Sequence, residues 1–332
     1  MHRSDELFKP FQTFKQFKPL RRKYLEPRFI GAACKINYLA LYYYPTAYLV
    51  MKPPVKFLLA LDSFLVLSVL LSGQLLGAGR RAVDNVITIE SGMLPIILSA
   101  PHGGRDAIPG VAVRRGVGVA QFATGRDHNT GELAERIAAK LQERLGAKPF
   151  LVIALFDRKY VDANRPRDGA YEAEEARPYY EAYHRALGEH CDHVRKLWGQ
   201  GLLLDIHGQS AEAQAIFRGT DNLKSVTDLE RRFGKPALSG GQSILGLLER
   251  SGYKVIPSNG DGEREQRYSG GYTTRTYGSH RGTGIDAIQL EFGTHLRSRA
   301  NLERTANDVA GAIVIFAGAY LPLKAPRTTS GE

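Results

Sequence analysis

From about residue 84 onward, short apolar runs of four to six residues alternate with longer stretches of helical periodicity. The runs are Val86–Ile89, Leu94–Ser99, Phe150–Leu155, Leu202–Ile206, Tyr253–Ile256 and Ala287–Leu290. They are rich in Ile, Val and Leu and read as buried strands. Between them, Thr130–Leu145 places Leu133, Ile137 and Leu141 on one helical face. Arg177–Trp198 carries Pro178 where a first helical turn accepts it, and Ser243–Arg250 and Leu302–Tyr320 are further helices. The order predicts an α/β fold, a mixed and mostly parallel sheet covered by helices on both faces. One catalytic domain over residues 81–325 is expected. In such sheets ligands bind beyond the carboxyl ends of the strands.

Several of these runs give way to polar residues bounded by glycine. Leu94–Ser99 leads into Ala100-Pro101-His102-Gly103-Gly104. Pro101 cannot join a ladder and the glycines permit a sharp turn, so His102 is displayed there. The two-residue period of a strand puts Asp205 and His207 on one face and Ile206 on the other. A carboxylate buried beside an imidazole is costly unless paired or metal-bound, and metal-binding histidines usually need such a partner. The same alternation brings Gln289 and Glu291 to one side of their strand, where a carboxylate suits a general base. After Phe150–Leu155 comes Arg158-Lys159-Tyr160-Val161-Asp162-Ala163-Asn164-Arg165. Asn164 and Arg165 are adjacent donors, and a guanidinium matches a carboxylate with two parallel bonds. Taken singly, each residue has a structural alternative: a turn histidine, a structural Asp–His bond, a salt-bridged glutamate, a surface arginine.

Other histidines are less telling. His184, His190 and His193 fall on one predicted helix among charged residues and read as a solvated face rather than a ligand cluster. Tyr268–Tyr272 and Tyr277–His280 form a glycine- and tyrosine-rich stretch, readable as a substrate-contacting lid or as an ordinary loop.

The net charge of +11 would suggest a nucleic acid or an anionic membrane. Residues 1–56 hold 11 Lys+Arg against 3 Asp+Glu, which leaves only +3 for the rest. No basic stripe with interleaved aromatics follows, so nucleic acid is not expected as a partner. The two cysteines, Cys34 and Cys191, allow neither a disulfide framework in the folded part nor a cysteine-rich zinc site. Phe57–Leu71 is apolar, follows Lys52 and Lys56 and precedes small residues, the ingredients of a secretory signal peptide. Extended through Leu76 it nears the roughly 20 residues of a membrane anchor, and a core helix is the third reading. Residues 1–50 are expected to be a non-native or disordered extension with Met51 the true start. Residues 51–80 are then the signal or anchor, and 326–332 a disordered tail. The expected location is exported or membrane-anchored, or cytoplasmic if that segment is not used, with any membrane contact confined to residues 57–78.

Together the segments resemble the N-formylglutamate amidohydrolase family, a relative of the zinc carboxypeptidases of the carboxypeptidase A type. The matching stretches are SAPHGG at 99–104, RDHNTGEL at 126–133, RKYVDANR at 158–165, LLDIHG at 203–208 and GIDAIQLEFG at 284–293. Five in order along about 240 residues are far more specific than one. The resemblance implies one zinc ion held by His102, His207 and a third ligand. Carboxypeptidases place a glutamate three residues after the first histidine, but Arg105 stands there. Asp127 fits the family's later acidic position, with Glu132 as substitute and a helix cap as the plain alternative for Asp127. The resemblance further implies Glu291 as the general base toward metal-activated water, Asn164 and Arg165 gripping a substrate carboxylate, and Arg158 near the scissile carbonyl. Cobalt or manganese would also suit a His/carboxylate site.

The function expected is zinc-dependent hydrolysis of the amide in an N-acyl, N-formyl-like amino acid, so the partner is that small molecule or a short peptide. The alternatives are an exported carboxypeptidase-like peptidase or cell-wall peptide amidase, and a non-catalytic binding protein that keeps the pocket.

Overall fold

The computed structural model describes residues 85–259 and 264–324. The expectations for residues 1–50, 51–80 and 326–332, and membrane contact at 57–78, lie outside the described residues. Among the described residues no helix is long and apolar enough to cross a membrane.

Seven strands form one sheet: β1 (Ile87–Glu90), β2 (Ile96–Ala100), β3 (Phe150–Ala154), β4 (Gly201–Gln209), β5 (Ala215–Gly219), β6 (Lys254–Ile256) and β7 (Ile285–Gly293). Their order is β1-β3-β2-β4-β7-β5-β6. The β2–β3, β2–β4, β4–β7 and β5–β6 pairs are parallel, and β1–β3 and β5–β7 antiparallel. The sheet is thus mixed and mostly parallel, as the alternation of runs predicts. β5 has no counterpart among the predicted strands. Its five residues include Arg218, which breaks the apolar signal and is buried in an ion pair with Glu265 at 2.8 Å. The helices used below are α1 (Thr130–Leu145), α2 (Arg177–Trp198), α3 (Ile244–Arg250), α4 (Tyr272–Tyr277) and α5 (Leu302–Tyr320); the other helical segments carry no label.

Alternation along the central strands builds two cores. Ile96, Leu98, Leu202, Leu204, Ile206, Ile288, Leu290 and Phe292 join one buried cluster with residues of α1, α3 and α5. Ile97, Leu203 and Ala287 belong to the opposite cluster, beneath Tyr183, Leu187 and Val194 of α2. Each fully buried Leu, Ile or Val contributes roughly 1.5–3 kcal/mol. Toward the carboxyl ends of the strands this second face turns polar. Ser99, Asp205, His207, Gln289 and Glu291 are all buried there.

β4 and β7 stay paired in parallel from Gly201↔Ile285 to Gln209↔Gly293, longer than their apolar runs. His207 and Glu291 therefore lie inside paired strands, directly opposite each other, rather than just beyond strand ends. The reason is backbone pairing: ladder bonds continue where side chains have already become polar.

Helix α2 corrects the reading of its histidines as a solvated face. His193 is exposed, but His190 is buried and His184 is enclosed by Tyr180, Tyr183, Tyr272 and Tyr277. Aromatic neighbours from α4 cover what α2 alone would leave open. Burial pushes the His184 imidazole down to about 4. The unfolded chain, with a histidine near 6.5, then takes up the proton first. The enclosed ring is without penalty above about pH 6.5 and destabilises the fold increasingly as pH falls toward 4. Denaturant unfolding at pH 7.5 and pH 5 should show wild type losing about 2 kcal/mol more than His184→Gln over that interval. An equal loss in both proteins would mean that the ring is not held neutral.

Candidate metal centre

The polar end of the second face gathers residues from four parts of the chain. His102 follows β2, where Gly103 lies flush on the first turn of α1. A Cβ at Gly103 would stand 2.6 Å from Gly131 N, so no larger residue fits without moving the turn. His207 comes from β4, and its neighbour Gly208 is pressed against Arg297, whose Nε would meet a Cβ at 2.5 Å. Arg297 in turn donates to the main-chain oxygens of His128, Gln209 and Phe292, tying three loops together. Asp127 precedes α1. Its main-chain nitrogen donates to His102 O at 2.9 Å.

The side chain of Asp127 does not cap α1. The N-cap is Asn129, in the left-handed region at φ 65°. Asp127 Oδ2 faces inward instead, 3.4 Å from His102 Nδ1 and 3.2 Å from His207 Nδ1, and accepts from Gly208 N at 3.0 Å. His102, Asp127 and His207 each offer a ligand atom, all within 4.8 Å of one another and all buried. Glu132 is exposed on the first turn of α1 and is not among these three; Arg105 is exposed too.

The outer ring nitrogens decide what the inner ones can do. His102 Nε2 lies 2.7 Å from Asp162 Oδ1, and His207 Nε2 lies 2.9 Å from Asp205 Oδ2. A carboxylate only accepts, so protons on the two Nε2 atoms satisfy Asp162 and Asp205. Two Nδ1 lone pairs then converge on the Asp127 oxygen. That arrangement repels unless a cation sits among them. His102 Nδ1 is buried and has no hydrogen-bond partner among the described residues. Ligands about 2.0–2.1 Å from a tetrahedral zinc stand about 3.3 Å apart, the spacing seen from Asp127 to each imidazole. The donor set therefore fits a divalent metal, and Asp162 and Asp205 supply the outer carboxylates that such histidines use.

The electrostatics agree. Burial would raise the Asp127 carboxyl, but the His102 and His207 imidazoles beside it, when protonated, outweigh burial and hold the group well below the usual range. Asp162 behaves alike: burial opposes ionisation, while His102 and Arg158 favour it more strongly. Burial lowers the His207 imidazole, yet the Asp205 charge and a hydrogen bond to Asp127 raise it far above the ordinary value. Asp162 had no assigned role in the sequence; only its place within the VDANR stretch pointed toward it. Ser99 is a second residue the sequence left unassigned. Its Oγ donates to Asp205 Oδ1 at 2.5 Å, fixing the carboxylate that orients His207.

The remaining candidates line one cavity of about 950 Å³ with His102, Asp127 and His207. Glu291 is buried in its wall. Burial, foremost, pushes its carboxyl up to about 7, with the His207 charge opposing. Asn164 is oriented by Thr273 N, which donates to its Oδ1 at 2.9 Å, so Nδ2 faces the histidines. Arg165 donates to two main-chain oxygens, Asn164 O at 3.1 Å and Gln121 O at 3.3 Å. Among the described residues no carboxylate lies within ion-pair distance of it. Arg158 is bound to Asp162 Oδ2 through Nε at 2.9 Å and through a terminal nitrogen at 2.8 Å. Its guanidinium thus already holds the carboxylate behind His102.

Comparison with known proteins gives this geometry a family. Residues 169–297, which include Asp205, His207, Gln289 and Glu291, match the family model described as N-formylglutamate amidohydrolase. Along 63% of this chain and 84% of the relative, the sequence is 28% identical to N-formylglutamate deformylase of Pseudomonas putida. The Pseudomonas aeruginosa enzyme of the same name is 26% identical over the same shares. The chain is similar to the N-formylglutamate amidohydrolase family. The matched relatives are named as deformylases, which makes this chain a hydrolase rather than a non-catalytic binding protein. The fold agrees: the crystal structure of N-formylglutamate amidohydrolase from Ralstonia eutropha superposes with a TM-score of 0.50 at 18% identity, over 71% of this chain and 98% of that one.

Wild type is expected to retain a metal through dialysis, and His102→Ala and His207→Ala should each lose it. Asp162→Asn keeps every inner ligand but should weaken metal affinity by roughly 10–100-fold, the usual weight of an outer carboxylate. Chelator competition measures this, and wild-type affinity in Asp162→Asn would remove Asp162 from the centre.

Proposed function

We propose that this chain is a zinc-dependent amidohydrolase acting on a small N-acyl amino acid with a free carboxylate, of the N-formylglutamate kind that its relatives are named for. The observation that carries the reading is the convergence of His102 Nδ1, His207 Nδ1 and the Asp127 carboxylate beside Glu291 in one cavity. His102, His207 and Asp127 would hold the metal. Two imidazoles and a carboxylate are a donor set of catalytic zinc sites. When bound, the ion supplies a Lewis acid that polarises a carbonyl and makes water more acidic.

The chain's own groups do the rest. Glu291, opposite His207 on the next strand, takes the proton of the attacking water and passes it to the leaving amine. Burial raises its carboxyl above the ordinary range, which suits a group that both takes and gives a proton. Asn164 Nδ2 and Arg165 offer donors to the substrate carboxylate from adjacent positions. Arg158, through Asp162, holds His102 in the tautomer that leaves Nδ1 free. A second reading, a short peptide or wall-peptide amide as substrate, is favoured by the cavity's roughly 950 Å³, well beyond the needs of an N-formyl amino acid.

Glu291→Gln should keep its metal and lose roughly 10²–10⁴-fold in turnover. Unchanged turnover would exclude Glu291 as the base. A screen of N-acyl amino acids against their carboxamides then separates the two substrate readings. Removing the substrate's carboxylate charge should lower kcat/KM by about ten- to a hundredfold. The same loss is expected for Arg165→Met on the free acid, and the double change should add little. Equal kcat/KM for free acid and carboxamide would favour the peptide amidase.

A further inference from the structure

Gln289 is a buried side chain in the wall of the cavity whose two ends face different tasks. It is 4% exposed, and strand alternation sets it on the same face as Glu291. Its Nε2 donates to Glu291 Oε1 at 2.9 Å. A carboxylate can accept only, so this bond fixes which end of the amide is nitrogen. The oxygen, Oε1, is thereby turned away from Glu291. It is buried and has no hydrogen-bond partner among the described residues.

The residues paired with Gln289 on the adjacent strands offer it none. Asp205, opposite Gln289 on β4, is itself an acceptor, taken up by Ser99 Oγ and His207 Nε2. Gly219, opposite on β5, has no side chain. Burying an amide oxygen without a donor is unfavourable. Gln289 lines the same cavity as Glu291, Asn164 and His207, so a cavity occupant can supply the donor.

The chemistry says which atom that is. The group that Glu291 protonates is the leaving nitrogen, which must come within hydrogen-bond reach of the Glu291 carboxylate. Gln289 is bonded to that same carboxylate and lines the same cavity, so its amide borders the place where the nitrogen sits. We propose that Gln289 is a specificity-determining residue whose Oε1 accepts the N–H of the scissile amide. The inference rests on the amide-hydrolase reading above. An ester of the same shape has no such hydrogen and presents an oxygen lone pair to Oε1, so the site selects amides over esters. A site built to bond an N–H rejects the analogue that lacks it.

The test uses substrates matched in acyl group and acid, one an amide and one an ester. It adds a matched phosphonamidate and phosphonate pair as inhibitors, differing only in N–H against O. Gln289→Met keeps the shape and removes the acceptor. Loss of the bond to Glu291 slows both substrates alike, so the readout is the amide-to-ester ratio of kcat/KM. The ratio should fall about tenfold or more in Gln289→Met. Wild type should bind the N–H inhibitor about tenfold or more tightly than its oxygen analogue, and the variant should bind both alike. An unchanged ratio, or equal binding of the two inhibitors by wild type, overturns the proposal. Should Gln289→Met fail to fold, the inhibitor pair on wild type decides alone. A wild type that holds metal but turns over no amide fails the proposed function instead, and this inference falls with it.

Discussion

One carboxylate oxygen, Asp127 Oδ2, stands between two buried imidazoles, and much of the architecture around it serves to keep the three groups together. The approach depends on close contacts that side chains would block. Gly103 sets the His102 turn directly on α1, and Gly208 lets Arg297 pass beneath β4. Arg297 then fixes the segments at His128, Gln209 and Phe292. The parallel pairing of β4 with β7 sets His207 opposite Glu291 and Asp205 opposite Gln289. A slip of one residue in either strand would turn its two polar side chains into the apolar layer.

The same groups make the centre electrostatically demanding. Asp127, Asp162 and Asp205 are buried around two histidines, with Glu291 beside them. Buried carboxylates are tolerated only when paired or hydrogen-bonded. Arg158 answers Asp162, and Ser99 and His207 answer Asp205. Asp127 is left to be balanced by whatever cation joins the imidazoles, a proton on His207 or a metal among all three. A fold that accepts so much buried charge at the carboxyl ends of its central strands is organised for chemistry, in line with its similarity to a family of hydrolases.

Much of this was legible in the sequence because glycine and proline mark where apolar runs stop. His102 and His207 each come just after such a run and precede a glycine, Glu291 stands two residues before one, and strand alternation tied Asp205 to His207 and Gln289 to Glu291. The mixed, mostly parallel sheet also followed from the runs. Asp127 was ambiguous, because aspartate before a helix is equally a cap. Asn129, two residues on, takes that position and frees the carboxylate. Asp162 carried no local sign of its role, since its partner His102 is 60 residues away. Helix α2 misled for a related reason: His184 is covered by tyrosines from α4, far along the chain. Arg158 reads in the sequence as free to meet substrate, yet it is committed to Asp162, a pairing across one turn of loop that spacing alone does not reveal.

The central claim is that His102, His207 and Asp127 bind one divalent metal through the inner ring nitrogens. Anomalous diffraction at the zinc edge, from crystals grown with the metal, tests it without reference to any substrate. The account predicts a single peak about 2.0–2.2 Å from both Nδ1 atoms and from an Asp127 oxygen, with Asp162 and Asp205 still on the Nε2 atoms. A peak bonded to either Nε2, or strong zinc density elsewhere with none among these three residues, would contradict it.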